Sequence, residues 1–420
     1  MRALFRSVVG EEAPAVVATR ITLVSTFAPD HCGIAGYTSY LGAALLAEDG
    51  DAEVTVVTPS PAAPYDDGRF RVVPAVVDGT DYPSEIARAV AATRPDVVHI
   101  QHEFGIFGAD ERFPRLLSAL ARAGSPTVVT MHTVHTDLSV DLGCGWSRGF
   151  SLRGVSIEAH QRAIGERAGL VVVHHDRSMR QALVRQGVPD DAVVTIPHGT
   201  LHPAPGTFPV ASAPAGRPLL VAPGYLRRSK NLDVVIDAFA LIAAERPDAR
   251  LWVGGYLREP GPEALAYLDS CVDKAHRAGV GDQLVVTREP VPEPVLSAAL
   301  AAADVVFCVY DEDTRSASGI LHRALGAGAI VVASRRPKFQ ELAEVCDELL
   351  VDPGRPVELA RLAERILDDD GFRAAVRAPL RRLARRTAWP VVARAHLDTY
   401  ARLAPRWAPG NRPAPAYSGR

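Results

Sequence analysis

The 420-residue sequence lacks several features that mark whole classes of protein. No apolar run approaches the roughly 20 residues of a membrane-spanning helix, and a formal net charge of -3 gives no basic field for gripping nucleic acid. We therefore expect no integral membrane contact and no nucleic-acid partner. The N-terminal stretch has an acidic pair, no apolar h-region and no small-residue cleavage site, which favours a cytoplasmic location over secretion.

Cysteine and glycine signatures are missing as well. The five cysteines form no C-x-x-C pair and no zinc spacing, so we interpret them as reduced and mainly structural. No G-x-G-x-x-G follows the first predicted strand, and this absence argues against a dinucleotide-dependent oxidoreductase.

The chain does contain short β-branched runs that alternate with longer helical patterns, which is typical of parallel βαβ units. The runs of the first half are ITLVSTF, EVTVVTP, RVVPA, VVHIQ, TVVTMH, LVVVHH and VVTIP. Those of the second half are LLVAPGY, RLWVGGY, QLVVTR, DVVFCVY, AIVVAS and ELLVD. Each is apolar enough for a strand covered on both faces. The pattern predicts two doubly wound, Rossmann-like parallel-sheet domains that face each other across a cleft.

A Pro-, Ala- and Gly-rich stretch separates the two halves and predicts an interdomain linker. Both ends of the chain lack hydrophobic periodicity, so we expect them to be disordered. The predicted segments are a disordered extension (1–18), an N-terminal domain (19–203), the linker (204–217), a C-terminal domain (218–386), a C-terminal helix (387–405) and a disordered tail (406–420).

Polar residues follow the strands of the first half, where an open parallel sheet binds its ligands. Gly33 and Gly36 come after the first strand and would let backbone N–H groups approach an anion or a sugar. Gln101, His102 and Glu103 end another strand, and such a triplet is costly to bury without a ligand or a polar network. A tight turn and a satisfied core histidine are the structural alternatives.

His132 and His135 follow the next strand. Their His-x-x-His spacing is weak evidence for a metal, because no further cysteine or carboxylate pattern accompanies it, and we predict no metal site. For His132 we favour contact with a sugar or a role in orienting a reacting group. His174, His175 and His198 follow later strands and are interpreted as rim or hinge residues.

The second half adds positive charge. Gly224 ends a strand, and Arg227, Arg228 and Lys230 follow within a few residues. Arginine binds phosphate oxygens in two-pronged fashion and lysine adds a point charge, so this loop is a candidate phosphate clamp. A solvated basic turn is the alternative.

A second phosphate signal lies in the segment SASG, residues 316–319, which leads into a helix. Free backbone N–H groups at such a helix start form a nest for an anion. Cations on one loop and free amides on another predict a site for a nucleotide diphosphate.

Taken together, these motifs resemble the GT-B glycosyltransferases, specifically the retaining glycosyltransferase family 4 (glycosyl transferases group 1), over about residues 20 to 404. APDHCGIAGYTSYL, HIQHEFGIFG and MHTVHTD are similar to a bacterial branch that also carries SGxLxxALGAG. APGYLRRSKN resembles the family loop G-R-L-x-x-x-K-G at Gly224, Leu226 and Lys230. RALGAGAIVVAS resembles E-A-x-A-x-G-x-P-V-V-A. AWPVVARAHLDTY is similar to the C-terminal helix, here with Trp389 and Tyr400, that crosses back to the first domain.

Two departures from the family pattern concern the donor. The positions of the E-x7-E carboxylate pair fall on Arg315 and Arg323, and an arginine cannot accept hydrogen bonds from ribose hydroxyls. Tyr225 stands where the loop has an arginine, so Arg227 or Arg228 would supply the missing charge. Both departures leave the nucleotide open.

The resemblance implies retaining, metal-independent transfer of a sugar from a nucleotide diphosphate sugar, which is a co-substrate rather than a resident cofactor. The residues expected to support the chemistry are His132, Arg228 and Lys230. Those expected on the donor are Gly33, Gly224, Tyr225, Arg227, Arg288, Ser316, Ser318, Gly319, Ile320 and Arg323. Those expected on the acceptor are Gly36, Tyr37, Gln101, His102, Glu103, Phe104 and His135.

Other functions share this architecture. A nucleotide-sugar epimerase or hydrolase would use the same cleft, and a non-catalytic sugar-nucleotide-binding homologue would fit the missing carboxylate pair. The acceptor could be a soluble natural-product core, such as an aminocyclitol, or a cell-envelope glycan or lipid-linked sugar. We expect a monomer or a homodimer.

Overall fold

The computed structural model describes residues 19–59, 62–75, 81–136, 156–202, 217–257 and 261–403. The extension predicted at 1–18, the tail at 406–420 and all but the last residue of the linker at 204–217 lie outside these residues. Each half of the described chain forms its own parallel sheet. The four cysteines among the described residues are free thiols.

The N-terminal half forms one sheet and part of a small ribbon. Its strands are β1 (Arg20–Val24), β2 (Glu53–Thr58), β3 (Tyr65–Asp66), β4 (Phe70–Pro74), β5 (Val97–His102), β6 (Thr127–Met131), β7 (Thr133–Val134), β8 (Leu170–Val173) and β9 (Val193–Thr195). Its helices are α1 (Gly33–Glu48), α2 (Tyr82–Thr93), α3 (Phe104–Phe107), α4 (Arg112–Arg122), α5 (Ile157–Arg167) and α6 (Gln181–Arg185). The sheet order is β3-β4-β2-β1-β5-β6-β8-β9, and only the β3–β4 pair is antiparallel.

The C-terminal half repeats the plan. Its strands are β10 (Leu219–Val221), β11 (Arg250–Val253), β12 (Leu284–Val286), β13 (Val305–Cys308), β14 (Arg315–Ser316), β15 (Val331–Ser334) and β16 (Leu350–Val351). Its helices are α7 (Leu232–Glu245), α8 (Pro262–Arg277), α9 (Glu293–Ala302), α10 (Gly319–Gly326), α11 (Gln340–Cys346), α12 (Pro356–Asp368), α13 (Asp370–Arg386) and α14 (Trp389–Leu403). The six-stranded sheet runs β12-β11-β10-β13-β15-β16.

Alternation along the buried strands builds a core on each face of the N-terminal sheet. Ile21 and Leu23 of β1 belong to one apolar cluster, whereas Val24 belongs to the cluster on the other face. This follows from the period of two in a strand, which points successive side chains to opposite faces. All thirteen apolar runs chosen from the sequence are strands, so the doubly wound prediction is confirmed.

Helix α14 packs on the N-terminal domain. Trp389 and Tyr400 of α14 lie in the same buried cluster as Leu41 of α1 and Ile21 of β1. The Tyr400 hydroxyl group also bonds to His99 Nδ1 of β5 at 2.7 Å. The final helix therefore ties the C-terminal half back onto the first sheet.

The strand order of both sheets reverses beside the first strand, between β1 and β5 in one and between β10 and β13 in the other. In open α/β sheets, ligands bind beyond the carboxyl ends of the strands at such a switch point. A two-stranded antiparallel ribbon joins the domains, with Arg315 opposite Val134 and Ser316 opposite Thr133. The ribbon was not predicted, because strands of two residues carry no periodic signal.

Candidate active site between the two domains

A cluster of three cations surrounds one buried carboxylate at the switch point of the C-terminal sheet. Glu312, in the loop after β13, has a side chain only 6% exposed. Its Oε1 lies 2.5 Å from Arg227 Nη2 and 3.0 Å from Lys230 Nζ, both in the loop after β10. Its Oε2 lies 2.5 Å from Lys338 Nζ, in the loop after β15. Two strand ends thus bring positive charge to the carboxylate that follows a third strand.

Tyr310 connects this cluster to the start of α10. Lys230 Nζ lies 3.6 Å from the centroid of the Tyr310 ring, which is a close cation–π contact. The Ser318 hydroxyl group is within hydrogen-bonding reach of the same tyrosine. Ser318 is the N-cap of α10, since its Oγ accepts a hydrogen bond from Leu321 N at 3.3 Å. Lys230 and Ser318 therefore both contact the Tyr310 side chain.

Burial and crowding change the acidity of these groups. Burial lowers the pKa of Lys230 to about 7, and the charge of Lys338 adds to this decrease although Glu312 opposes it. Burial alone would raise the pKa of Glu312, but Lys338, Lys230 and Arg227 outweigh it and hold that pKa well below its ordinary value. The carboxylate is charged at neutral pH, whereas the charge of Lys230 depends on pH.

Three other predicted cations point elsewhere. The Arg228 guanidinium stacks over Tyr267 of α8 at 4.9 Å, outside the cluster. Arg288 pairs with Asp269 at 3.1 Å in an exposed position. Arg323 pairs with Glu293 of α9. Of the two candidate arginines in the loop after β10, the structure places Arg227 and not Arg228 with Lys230.

Tyrosines from the C-terminal domain reach across the cleft. The hydroxyl groups of Tyr225 and Tyr256 both donate to the backbone oxygen of His31, at 3.4 and 2.5 Å. His31 lies just before α1, so these bonds hold the entrance of the first helix against the loop after β10. Gly224 precedes Tyr225 with φ +130°, a conformation that favours glycine.

The segment 316–320 lies beside the N-terminal domain. Ser316 is held in the ribbon, and Arg315 donates to Thr136 Oγ1 at 2.9 Å. A Cβ atom on Gly319 would lie 3.5 Å from His198 Nε2, so the start of α10 lies beside a histidine of the first domain. Ile320 follows in the first turn of this helix.

The N-terminal edge presents glycines and packed rings. Gly33 and Gly36, at the start of α1, have open space where a Cβ would point. One turn on, the buried Tyr37 ring packs edge-on against His132 and His198, at 4.7 and 5.1 Å between centroids. Its hydroxyl group has no hydrogen-bond partner among the described residues. This edge is polar, and its described residues carry no cluster of charge like that opposite.

His132 is part of a buried hydrogen-bond network. Its Nε2 lies 2.9 Å from the Gln101 amide and its Nδ1 lies 3.2 Å from His174 Nε2. His174 Nδ1 donates to the Ile196 carbonyl oxygen at 3.1 Å. Burial lowers the pKa of His132 well below its ordinary value, and neighbouring His174 lowers it further. The ring is neutral, and both nitrogens already have partners within the protein.

Three residues expected on the acceptor are packed inside the N-terminal domain. His102 and Phe104 have no exposed surface, and the His102 ring lies among Phe104, Phe107 and Phe113. His135 is 5% exposed, and its backbone bonds to Gln161. For His102 the strand period turns the ring to the face opposite Gln101, into the cluster of phenylalanines. Contact of these three with an acceptor is therefore not supported by the structure.

Glu103 and Gln101 have structural partners. Glu103 caps α3 through a bond from Phe104 N at 3.1 Å and accepts from Thr133 Oγ1 at 2.7 Å. Gln101 bridges His132 and His99. Both lie at the carboxyl end of β5, where they shape the cleft edge.

Glu312 and Lys338 were not predicted from the sequence, and neither was a second polar contact, between His322, Glu341 and Thr200. In this contact His322 Nε2 lies 2.7 Å from the buried Glu341, and His322 Nδ1 lies 2.7 Å from Thr200 Oγ1 of the first half. Burial alone would raise the pKa of Glu341, but His322 and His175 hold it well below its ordinary value. For Glu312 and Lys338 the only signal in the sequence was their position in a loop that follows a strand.

Neither a metal cluster nor a membrane span is found in the described ranges. No group of three or more His, Cys, Asp or Glu side chains there could hold a metal ion. Likewise, no helix in the described part of the chain has the length and apolar character to cross a bilayer.

Comparisons with known proteins cover both halves. The family model "Glycosyl transferase 4-like domain" matches residues 33–199, and "Glycosyl transferases group 1" matches residues 217–369. A D-inositol 3-phosphate glycosyltransferase from Xylanimonas cellulosilytica is 28% identical over 305 residues, which is 69% of each chain.

Solved structures agree on the architecture. Sucrose-phosphate synthase from Thermosynechococcus elongatus superposes with a TM-score of 0.68 at 18% identity, over 92% of this chain and 99% of that one. HepE from Anabaena, solved in complex with UDP-glucose, gives 0.61 at 16% identity, over 91% of this chain and 99% of that one. These likenesses confirm the predicted GT-B fold.

Proposed function

The chain belongs to the glycosyl transferases group 1 family, and from that premise we propose that it is a retaining hexosyltransferase. It would move the sugar of a nucleotide diphosphate donor to an acceptor hydroxyl group, with the anomeric configuration kept. The observation that carries this proposal is the cation cluster of Arg227, Lys230 and Lys338, opposite a neutral polar edge.

Leaving-group stabilisation is the main task of such a site. As the sugar gains oxocarbenium character, negative charge develops on the diphosphate. Lys230 and Arg227 would neutralise it together with the backbone N–H groups at the start of α10, capped by Ser318. These groups require no metal, so the reaction is proposed to be metal-independent. The incoming hydroxyl group would attack from the side of the leaving group.

The acceptor would lie on the neutral edge formed by Gly33, Gly36 and the network around His132. His132 acts there as a positioning residue, since both its ring nitrogens are occupied. One relative is named for D-inositol 3-phosphate, so a soluble polyhydroxylated acceptor of the cyclitol type is our first choice. A cell-envelope glycan is the second. The enzyme is proposed to act in the cytoplasm as a monomer or homodimer.

A two-stage experiment tests this function. A thermal-shift screen with UDP, ADP, GDP and dTDP identifies the nucleotide, and the matching sugars are then assayed with cyclitol acceptors. NMR of the product should show the donor's anomeric configuration, and inversion would contradict the retaining mechanism. Rapid sugar release or epimerisation without acceptor would favour the hydrolase or epimerase alternative. Tight binding without turnover across the panel would favour a non-catalytic homologue.

A further inference from the structure

Two of the three lysines in the sequence bind the same carboxylate. Lysine occurs only at Lys230, Lys274 and Lys338 among 46 basic residues, and the first and third both contact Glu312. The three side chains of this contact are 16%, 12% and 6% exposed for Lys230, Lys338 and Glu312. These low exposed fractions distinguish the cluster from an ordinary ion pair on the protein surface.

The loops that hold the cluster are fixed by further hydrogen bonds. Ser229 Oγ donates to Glu312 Oε1 at 2.8 Å, and Asp311 N donates to the Ser229 backbone oxygen at 2.9 Å. Ser334 Oγ bonds both to the Tyr310 amide at 2.9 Å and to its carbonyl oxygen at 2.7 Å. Glu312 is therefore held in place among the cations, in a position that would also be favourable for an anionic ligand.

Charge counting shows what this does to a ligand. When every group is charged, the cluster has a formal charge of +2, because three cations (Arg227, Lys230 and Lys338) surround one carboxylate, Glu312. A diphosphate would have to share cations with the carboxylate and would lie within a few ångströms of it. At such distances like charges in a partly buried site repel strongly.

This inference rests on the proposed function: we propose that the Glu312 carboxylate competes with the diphosphate for the same cations, and that Lys338 is the third cation of this site. Glu312 offsets one of the three positive charges when the site is empty and weakens the binding of the product nucleoside diphosphate.

The donor and the product nucleoside diphosphate differ in the negative charge that they place beside Glu312. In the donor each phosphate carries one negative charge. As the acceptor oxygen bonds to the anomeric carbon, the bond from that carbon to the terminal phosphate oxygen breaks and its electron pair stays on the phosphate. The hydroxyl proton is released to solvent, so at neutral pH the diphosphate gains one negative charge. Repulsion from Glu312 then opposes the product more than the donor, so the carboxylate speeds product release.

Binding measurements on charge-neutral variants test this directly. We expect Glu312→Gln to bind inorganic pyrophosphate and UDP at least about tenfold more tightly than the wild type in calorimetry. Asp313→Asn, which removes an exposed charge from the same loop, should stay within about twofold of the wild type because solvent screens it. Lys338→Gln should bind pyrophosphate about tenfold more weakly, whereas Lys274→Gln should not change.

Turnover gives the second measurement. With an active donor and acceptor pair, Glu312→Gln should show a burst of about one product per enzyme followed by slow steady-state turnover. A linear time course at the wild-type rate would overturn the proposed effect on release.

The outcomes separate this inference from the proposed function. Equal or weaker pyrophosphate binding by folded Glu312→Gln, with normal binding by the wild type, overturns only the competitor role. Failure of the folded wild type to bind pyrophosphate or any nucleoside diphosphate in the panel contradicts the proposed function itself. Near-ultraviolet circular dichroism, and thermal melts with and without pyrophosphate, establish that each variant is folded.

Discussion

The two sheet edges that form the cleft differ in charge. The C-terminal edge gathers Arg227, Lys230, Lys338 and Glu312 from three loops. The N-terminal edge gathers histidines instead, and burial lowers the pKa of His174 to about 3. On the proposed function, one edge would bind an anion and the other neutral hydroxyl groups. The difference teaches that each domain would hold half of the transfer reaction, so the two edges must face each other for chemistry.

Removing Lys230 should give the largest effect, because it eliminates a largely buried charge that the proposed function assigns to the leaving group. We expect Lys230→Ala to lower kcat/KM at least about 100-fold while the fold is retained. Lys274→Ala is the matched control, since that lysine pairs with Asp237 away from the cleft. Wild-type rates in Lys230→Ala, measured with the donor found in the nucleotide screen, would remove the cluster from the mechanism.

The charged edge should also make diphosphate binding depend on pH. Lys230 has a pKa of about 7 and faces Lys338, Arg227 and Glu312, of which Glu312 stays ionised. An anion binds the charged lysine, and above pH 7 the free enzyme must first take up a proton. We therefore expect the affinity for a nucleoside diphosphate to fall about 50-fold between about pH 7 and about pH 9.

Arginine at the same position provides the control for this titration. The guanidinium of Lys230→Arg stays charged over this range, so its affinity should change little with pH. Calorimetry in buffers of different ionisation enthalpy would also detect proton uptake by the wild type. A flat wild-type profile would mean that the lysine is already fully charged in the free enzyme.

The neutral edge is tested by His132→Asn. This change removes one of the two ring contacts, to Gln101 or to His174, and leaves a buried polar group without its partner. We expect activity to fall about tenfold and stability by about 1–3 kcal/mol. The pH profile should keep its shape, because a neutral His132 contributes no titration near pH 6.5. Loss of an acidic limb in the variant would instead identify His132 as a proton-transfer group.

The sequence predicted the fold well, because buried parallel strands are continuous apolar runs that are visible locally. It also predicted Lys230 as a site residue through its loop, and the structure places that lysine in the cation cluster. The contact between Glu312 and Lys338 could not be predicted, because it depends on the order in which β10, β13 and β15 lie side by side in the sheet. His102 was misplaced for a different reason: its alternation with Gln101 along β5 was available in the sequence and indicates opposite faces.

Removing the hydrogen bonds between the two edges should have the smallest effect on kcat/KM. Tyr225 and Tyr256 donate to one carbonyl oxygen, that of His31, so either phenol can hold the cleft entrance alone. Tyr225→Phe and Tyr256→Phe should each change kcat/KM by no more than about twofold, and the double variant by about fivefold, since a neutral hydrogen bond contributes about 1 kcal/mol. Steady-state kinetics of the three variants measure this non-additivity. Equal, additive losses would mean that the two tyrosines act separately, and that contact across the cleft is not what they share.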